Sequence, residues 1–252
     1  MSYKKLPYIE AILLRKEMNF VPEDCIDLKK VIDNLNIIYS ERKLSNKTAG
    51  VSKVVGIHKY IFLNISNPLI EYMPYKRFTI AHEIGHVILH RNTKMNICGE
   101  DVFKGNTKNQ REYEANEFAS ELLLPRKIVQ EELKYKDISI ELAQQIADKY
   151  KLSLTATLIS MIKQTDGKVM LFCHNGERLK WVIKSSECYM KPETCIVGSN
   201  VTHIAKENVT SIKDYVDSDL WINSSKIDRC LEETLFNEQL GTYLTIINIE
   251  ED

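Results

Sequence analysis

Apolar residues recur at helical spacing between positions 77 and 125. The first part of this region, RFTIAHEIGHVILHR, places its apolar residues three and four positions apart, which predicts a buried helix. Gly85 inside this helix costs about 1 kcal/mol relative to alanine, which predicts that a neighbouring backbone packs closely there. The last part, QREYEANEFASELLLP, predicts a second helix whose apolar face carries Ala115, Phe118, Ala119 and Leu122. Residues 92–109 between them are polar and contain two glycines, which predicts a flexible spacer that borders any cleft formed by the helices.

The segment before this region predicts helices first and strands afterwards. Apolar spacing favours helices over 8–20 and 27–36, the second with Asp27 as its N-cap. A short strand at 37–39 follows, and residues 41–50 are polar and predict a loop.

A hairpin is expected next, because 51–57 and 60–65 are rich in β-branched and aromatic residues and His58-Lys59 lies between them. Two readings of its second strand, Tyr60–Asn64, stay open. It is either the edge strand on which a peptide substrate is added or a strand inside the sheet.

Two helices are expected after Pro125, over 139–150 and 153–163, each with a serine at its N-cap. The pair resembles a helix-turn-helix. Residues 131–165 carry five lysines and five acidic residues, whereas a DNA reader normally presents a basic face to phosphates. We therefore do not expect direct DNA binding and read this segment as a helical packing or protein-docking module.

The last part of the chain alternates between apolar and polar residues from Val169 to Ile183 and has an Asn-Gly turn signal at 175–176. It predicts a hairpin, then a helix over 226–239 and a final strand over 243–249. These elements predict a small α/β domain.

His82, Glu83 and His86 form the motif His-Glu-x-x-His inside the first predicted helix. Residues four apart lie on one helical face, so the two imidazoles are placed to bind one metal ion. Glu83 is then placed to act as general base on a water molecule at that ion.

A zinc hydrolase uses three protein ligands and keeps one position open. Glu112 and Glu114 on the second helix are the candidates for the third ligand, and Glu112 follows His86 by 26 residues, enough for a loop and a return helix. Glu112 shares the apolar face of Phe118 and Leu122, whereas Glu114 points about 200° away. We therefore expect Glu112 in the site and Glu114 in solvent.

Two further residues lie close to this motif. Asn116, four positions after Glu112, is expected to hold a histidine ring as an outer partner of the metal. His90 lies two turns, about 12 Å, from His82 along one helix, too far for one ion to bind both. We interpret His90 as structural, capping or packing the helix.

Composition and charge exclude some classes of protein. The net charge of −1 gives no general attraction to nucleic acid or anionic membrane. No apolar run is long enough to span a bilayer, and the N-terminus lacks the pattern of a signal peptide. The six cysteines form no Cys-x-x-Cys pair and are expected to be reduced and incidental. These features predict a cytoplasmic protein.

The segments AHEIGHVILH and EYEANEFASELLLP resemble the ImmA/IrrE family of metallo-endopeptidases. Arg77-Phe78-Thr79, Asn64 and Leu124-Pro125 also match that pattern, although the family often has Met at the position of Leu124. The similarity extends over roughly residues 10–130. It implies that His82, His86 and Glu112 bind Zn²⁺, with Mn²⁺ as the other candidate, and that Glu83 is the catalytic base.

The resemblance also implies a fold and a partner. We expect an α+β protein with a zincin-like metallopeptidase domain over 1–130, a helix-turn-helix-like module over 131–165 and a sensor-like α/β domain over 166–252. The implied substrate is a helix-turn-helix repressor whose cleavage derepresses mobile-element or stress genes. The alternative is a regulator that acts by binding, through repressor sequestration or in a toxin–antitoxin or phage module, with a structural metal.

Overall fold

The computed structural model describes residues 6–45, 48–91, 96–99, 109–193, 199–207, 211–223, 227–238 and 241–249. Two compact units divide the chain: the first is Met1–Ile128 with Asp148–Ser153, and the second is Val129–Ala147 with Leu154–Asp252. Each unit contains both helices and a β-sheet, so the fold is α+β. The division into three domains at 130 and 165 stays a prediction.

A four-stranded sheet of order β1-β3-β2-β4 forms the described β-structure of the first unit. Strands β1 and β3 are parallel, and the other two pairs are antiparallel. The elements in chain order are α1 (Pro7–Glu17), α2 (Leu28–Asn34), β1 (Ile37–Arg42), β2 (Thr48–Val55), β3 (His58–Asn64), α3 (Met73–Leu89), β4 (Asn96–Gly99) and α4 (Gln110–Leu123).

Most of the secondary-structure elements predicted for the first unit are present. The Asp27 carboxylate caps α2 by accepting hydrogen bonds from the backbone N–H groups of Lys29 and Lys30. Strands β2 and β3 form the expected hairpin, but its turn lies at Gly56-Ile57, two residues earlier than predicted. Gly56 has φ +59°, a conformation that glycine adopts without steric cost, which explains the position of the turn.

The suggestion that Tyr60–Asn64 is an edge strand is wrong. Strand β3 lies inside the sheet, paired with β1 on one side and with β2 on the other. Ile61 and Leu63 are fully buried there. Within the described part of the chain, the edges of this sheet are β1 and β4.

The segment predicted as a flexible spacer contains strand β4, which pairs antiparallel with β2. This part of the prediction is wrong, and residues 92–95 and 100–108 lie outside the described residues. Strand β4 is short and has weak strand propensity, so its conformation depends on hydrogen bonds from β2 that no local pattern reveals. The register shifts at a bulge between Thr48 and Gly50.

Helices α3 and α4 pack closely together, as the glycine inside α3 predicts. A Cβ atom on Gly85 would lie 3.1 Å from Phe118 Cδ1 and 3.3 Å from Ala115 Cα, so only glycine allows this approach without displacement. Phe118 and Leu122 are fully buried in the core of the first unit. Arg15 on α1 donates a 2.7 Å hydrogen bond to the carbonyl oxygen of Leu122.

The remaining elements include a five-stranded antiparallel sheet of order β6-β5-β11-β10-β8 and a two-stranded pair, β7 and β9. The division between the units falls inside α5 and α6. The elements are α5 (Arg126–Leu133), α6 (Ile140–Tyr150), α7 (Leu154–Gln164), β5 (Val169–His174), β6 (Leu179–Lys184), β7 (Lys191–Pro192), α8 (Asn200–Glu207), β8 (Ile212–Asp217), β9 (Ile222–Asn223), β10 (Arg229–Asn237) and β11 (Thr242–Asn248).

The helix predicted over 226–239 is wrong, because this part of the chain forms strand β10 between β11 and β8. Its glutamates and leucines favour a helix locally. The strand instead buries the Glu232 carboxylate, which accepts hydrogen bonds from Ser199 Oγ (2.7 Å), Thr234 Oγ1 (2.7 Å) and Trp221 Nε1 (2.8 Å). Tertiary partners therefore outweigh local propensity here.

The predicted helix pair after Pro125, the hairpin of β5 and β6 and the final strand all form. Ser139 Oγ accepts a hydrogen bond from the backbone N–H of Leu142 at the start of α6, as expected of an N-cap. In the described residues, no helix is long and apolar enough to cross a membrane.

His174 is a fully buried histidine in the second unit. The backbone N–H of Gly176 donates to its Nδ1 (3.1 Å), so Nδ1 is unprotonated and Nε2–H donates to Thr245 Oγ1 (2.9 Å). Burial lowers the pKa of His174 from 6.5 to about 4. Protonation at Nδ1 would break the bond from Gly176.

We expect the second unit to lose stability as the pH falls from 6.5 to about 4, because the unfolded chain protonates His174 before the folded chain does. His174 contributes up to about 3 kcal/mol to this fall in the free energy of unfolding. Urea unfolding followed by the fluorescence of Trp181 and Trp221, both in the second unit, measures it. In a His174→Gln variant the free energy of unfolding should change less with pH. The control His203→Gln, at an exposed position, should keep the pH dependence of the wild type.

Candidate metal centre

Helix α3 carries His82, Glu83 and His86 into the interior of the first unit, where all three are fully buried. The two imidazoles face each other one turn apart, with 3.0 Å between His82 Nε2 and His86 Nε2. Burial lowers the pKa of His86 to about 4, which keeps its ring neutral at pH 7. The Nε2 atoms of the two rings therefore point at one place.

Helix α4 brings Glu112 to the same place. Its Oε2 lies 3.2 Å from His82 Nε2, and its Oε1 lies 3.3 Å from His86 Nε2. The carboxylate faces inward, on the side of α4 that also carries Phe118.

Contacts at the Nδ1 atoms, on the side of each ring away from the cluster, orient both imidazoles. His82 Nδ1 lies 2.9 Å from Asn116 Oδ1, the contact that the spacing predicts. His86 Nδ1 lies 2.8 Å from His90 Nδ1, and His90 Nε2 lies 3.0 Å from Glu114 Oε2. The expectation that Glu114 faces solvent is therefore wrong. His90 ends α3 as its C-cap, and it links Glu114 to His86.

Cys98 on β4 is the member of this cluster that the sequence analysis missed. It is 1% exposed, and its Sγ lies 3.2 Å from His82 Nε2. No spacing rule connects Cys98 to the helix motif, because strand pairing rather than helical periodicity places it there. The other cysteines in the described residues, Cys25, Cys173, Cys188 and Cys230, are also unpaired, and Cys195 lies outside those residues.

Glu83 lies beside the imidazoles and is packed against strand β2. Ser52 on β2 and Cys98 lie close to its carboxylate, but no described residue meets either oxygen at full hydrogen-bond geometry. Burial raises the pKa of Glu83 to about 7, and the nearby His82 opposes this shift. A Cβ atom on Gly50 would lie 2.6 Å from Glu83 Oε1, so the glycine on β2 leaves the space that this carboxylate fills.

The ligand atoms of this cluster fit a divalent cation. Nδ1–H of His82 donates to Asn116 Oδ1. The Glu114 carboxylate accepts a hydrogen bond from His90 Nε2–H, so His90 Nδ1 is unprotonated and accepts a hydrogen bond from His86 Nδ1–H. Both ligand histidines therefore present the lone pair of Nε2 to the cluster. Together with Glu112 they form a set of electron-pair donors 3.0 to 3.3 Å apart. Ligands of a tetrahedral zinc ion lie about 3.4 Å apart, and a cation removes the repulsion among them.

The side chains of His82, His86, Cys98 and Glu112 offer atoms that all lie within 4.8 Å of one another. Two imidazoles and a carboxylate suit zinc-like divalent ions better than the hard cations that prefer oxygen alone. The sequence analysis chose His82, His86 and Glu112, and the fold brings these three together.

Of the nearby polar residues, two are engaged elsewhere. Arg77 Nη2 donates to the carbonyl oxygen of Ile26 (3.1 Å) and also contacts Cys25 Sγ (3.6 Å). Tyr75 Oη accepts a hydrogen bond from Asn67 Nδ2 (3.4 Å). These contacts join the two side chains to residues outside the cluster.

Helices α3 and α4 thus bring the His-Glu-x-x-His motif and Glu112 together in one buried cluster whose donor atoms fit a metal ion. Residues 37–160 match the family model of the IrrE N-terminal-like domain, a peptidase family. This segment, 124 of the 252 residues, belongs to the ImmA/IrrE family. The match includes the sheet, α3, α4 and most of the helix pair that follows.

One solved structure, a Mycobacterium tuberculosis transcriptional regulator, is similar to 97% of this chain and 76% of its own chain. The TM-score is 0.58 and the sequence identity is 12%, so the similarity is one of fold. The comparison with curated proteins gives no match.

Proposed function

We propose that this protein is a zinc-dependent endopeptidase of the ImmA/IrrE type, with a zincin-like core in its first unit. The observation that carries the proposal is the convergence of two buried imidazoles and a carboxylate beside the buried Glu83, whose oxygens meet no described residue at full hydrogen-bond geometry. A site whose only purpose is structural has no need of that unpartnered glutamate.

His82, His86 and Glu112 are the residues that would hold the ion. Imidazole and carboxylate ligands favour Zn²⁺, and Mn²⁺ is the other candidate. When bound, zinc supplies a Lewis acid for the peptide carbonyl and lowers the pKa of water to about 7. Asn116 and His90 keep the imidazole rings in the tautomers that ligation requires.

Glu83 is the proposed base and later the proposed acid. Its carboxylate accepts a proton from the attacking water, and the resulting carboxylic acid passes that proton to the nitrogen of the departing amine. Glu83 is fully buried, so bulk water does not reach its carboxylate. It lies on α3, next in sequence to the ligand His82.

We propose a helix-turn-helix transcriptional repressor as the substrate. Support comes from membership of the ImmA/IrrE family through residues 37–160, and the structurally similar protein is itself described as a transcriptional regulator. The outer edge of β4 is the proposed track for the substrate main chain, because β4 is an edge strand that also carries a residue of the cluster. Direct DNA binding is not proposed.

The experiment that tests this proposal compares the zinc-loaded protein with its Glu83→Gln variant on purified helix-turn-helix repressors. Mass spectrometry of the fragments identifies the scissile bond. Fragments that form with the wild-type protein, disappear with a chelator and do not form with the variant support the proposal. Equal fragment yields from both proteins would reject it.

A Gly50→Ala substitution tests the position of the base separately from the metal. The added Cβ would overlap Glu83 Oε1, so the carboxylate must move. We expect cleavage to fall about 100-fold, the usual effect of a displacement near 1 Å, while metal content stays unchanged. The control Gly167→Ala, where the nearest contact would be 3.3 Å, should cleave normally. Normal cleavage by Gly50→Ala would show that Glu83 need not occupy its observed place.

The second candidate function is regulation by binding, with the metal in a structural role. The position of Cys98 favours it, because two histidines, one glutamate and one cysteine complete a four-ligand site of the closed, structural kind. Such a protein would sequester a repressor or act in a toxin–antitoxin or phage module. A Glu83→Gln variant that keeps the full biological effect would favour this candidate.

A further inference from the structure

Cys98 has surroundings that differ from those of an ordinary buried cysteine. A free cysteine inside a protein usually packs as a small apolar group. The Sγ atom of Cys98 instead lies 3.2 Å from His82 Nε2 and within 4.8 Å of the ligand atoms of His86 and Glu112. Its surroundings are therefore electron-pair donors rather than hydrocarbon.

The position of Cys98 is set by the sheet. Cys98 pairs with Gly50 across β4 and β2, and Gly50 is the residue that leaves space for the Glu83 carboxylate. Strand pairing therefore holds the thiol beside both the ligand histidine and the proposed base.

Unpartnered groups at the same place point to a ligand. Glu83 is fully buried, and neither of its oxygens has a hydrogen-bond partner in the described part of the chain. The same holds for Glu112 Oε2. Buried carboxylate oxygens without partners are costly unless a cation or a donor reaches them. A thiolate is among the strongest protein ligands of zinc and is compatible with imidazole and carboxylate in one tetrahedral site.

We propose that Cys98 is the fourth protein ligand of the bound metal ion, and that the arrangement seen here is a latent form of the peptidase. A catalytic zinc site keeps its fourth position for water or substrate. When the Cys98 thiol binds the ion it releases its proton to solvent, and the thiolate occupies that position. Water reaches the ion only after the sulfur has taken up a proton again and left the ion. The ligand assignment stands on the geometry alone, whereas latency also rests on the proposed peptidase function.

Latency of this kind is an equilibrium between a thiolate-bound form and an open form. The observed rate is proportional to the fraction of molecules in the open form. Removing the thiol makes every molecule open, so cleavage by Cys98→Ala should exceed that by the wild type. A rise of about tenfold would correspond to an open fraction of about one tenth in the wild type.

X-ray absorption at the zinc edge of the full-length, zinc-loaded protein tests the ligand directly. The wild type should show one sulfur at about 2.3 Å together with nitrogen and oxygen at about 2.0 to 2.2 Å. Cys98→Ser should show only the lighter shell. The matched control Cys25→Ser, which removes another thiol of the first unit outside the cluster, should keep the sulfur. Lack of a sulfur shell in the wild type would overturn the proposal without reliance on any variant.

Thiol labelling gives a second readout that does not depend on cleavage. Mass spectrometry after brief alkylation should show Cys98 protected in the zinc-loaded protein and modified once a chelator is added. Rapid labelling of Cys98 in the zinc-loaded protein would overturn the ligand assignment, because a thiolate bound to zinc does not react with the alkylating reagent.

The cleavage assay then separates the two claims. A sulfur shell together with faster cleavage by Cys98→Ala supports both the ligand and latency. A sulfur shell with unchanged cleavage overturns latency and keeps the ligand. A sulfur shell with no cleavage by either protein rejects the proposed peptidase function, and with it latency, while the metal centre with Cys98 remains.

Discussion

Replacing Glu83 by Gln is expected to abolish repressor cleavage while the metal stays bound and the fold stays intact. Glutamine has nearly the shape of glutamate but cannot accept a proton from water at neutral pH. Loss of a positioned general base lowers rates by about 10² to 10⁴-fold. The proposed ligands His82, His86, Glu112 and Cys98 are unchanged, so the variant should retain metal.

Stability should not fall in the Glu83→Gln variant. Glu83 is fully buried and its oxygens have no hydrogen-bond partner among the described residues, so the substitution removes a carboxylate that burial disfavours. Three measurements on the same preparation are needed: fragment yield, zinc content by elemental analysis and the thermal unfolding midpoint. Glu71→Gln, at an exposed position of the same unit, serves as the matched control and should cleave normally. Cleavage at the wild-type rate by Glu83→Gln would exclude Glu83 as the base.

Glu112→Ala is expected to lose the metal, whereas Glu114→Ala is expected to keep most of it. The Glu112 oxygens lie 3.2 and 3.3 Å from the two ligand imidazoles, and their removal takes one of the proposed ligands away. Glu114 acts only through His90, and loss of such an outer partner typically lowers metal affinity by about 10 to 100-fold. Metal affinity should fall by more than about 100-fold in Glu112→Ala.

Elemental analysis of protein purified without added metal, followed by competition with a chromophoric chelator, measures both variants. Ser120→Ala, at an exposed position on the same helix, controls for a general effect of substitution in α4. If Glu114→Ala loses metal and Glu112→Ala retains it, the choice of Glu112 as ligand is wrong.

Helical periodicity made much of the centre predictable. His82 and His86 are four residues apart on a helix, and Glu112 lies on the apolar face of the next helix, so local rules placed all three side chains in the interior. Asn116 follows from the same rule, because it lies one turn from Glu112 and reaches His82. Gly85 likewise predicted a close approach, which α4 supplies.

Glu114 shows where the rule of opposite helix faces fails. Its direction on α4 does differ from that of Glu112, but His90 at the end of α3 lies on that side and binds it. A helical wheel assigns faces on one helix and contains no information about what the end of a neighbouring helix covers.

Strand pairing explains the errors elsewhere. The helix predicted over 226–239 and the spacer predicted over 92–109 both contain residues whose backbone partners lie far away in sequence, in β11 and β8 for one and in β2 for the other. Propensity is a weak local signal, and cross-strand hydrogen bonds and burial outweigh it.

The sequence by itself determined the two helices and the orientation of His82, His86 and Glu112, because the helix is a local structure whose periodicity is written in consecutive residues. Only the tertiary structure decided that Cys98 joins these three side chains and that Gly50 leaves space for Glu83. Both residues reach the centre through the pairing of β2 with β4, and a contact made by strand pairing has no fixed spacing along the chain.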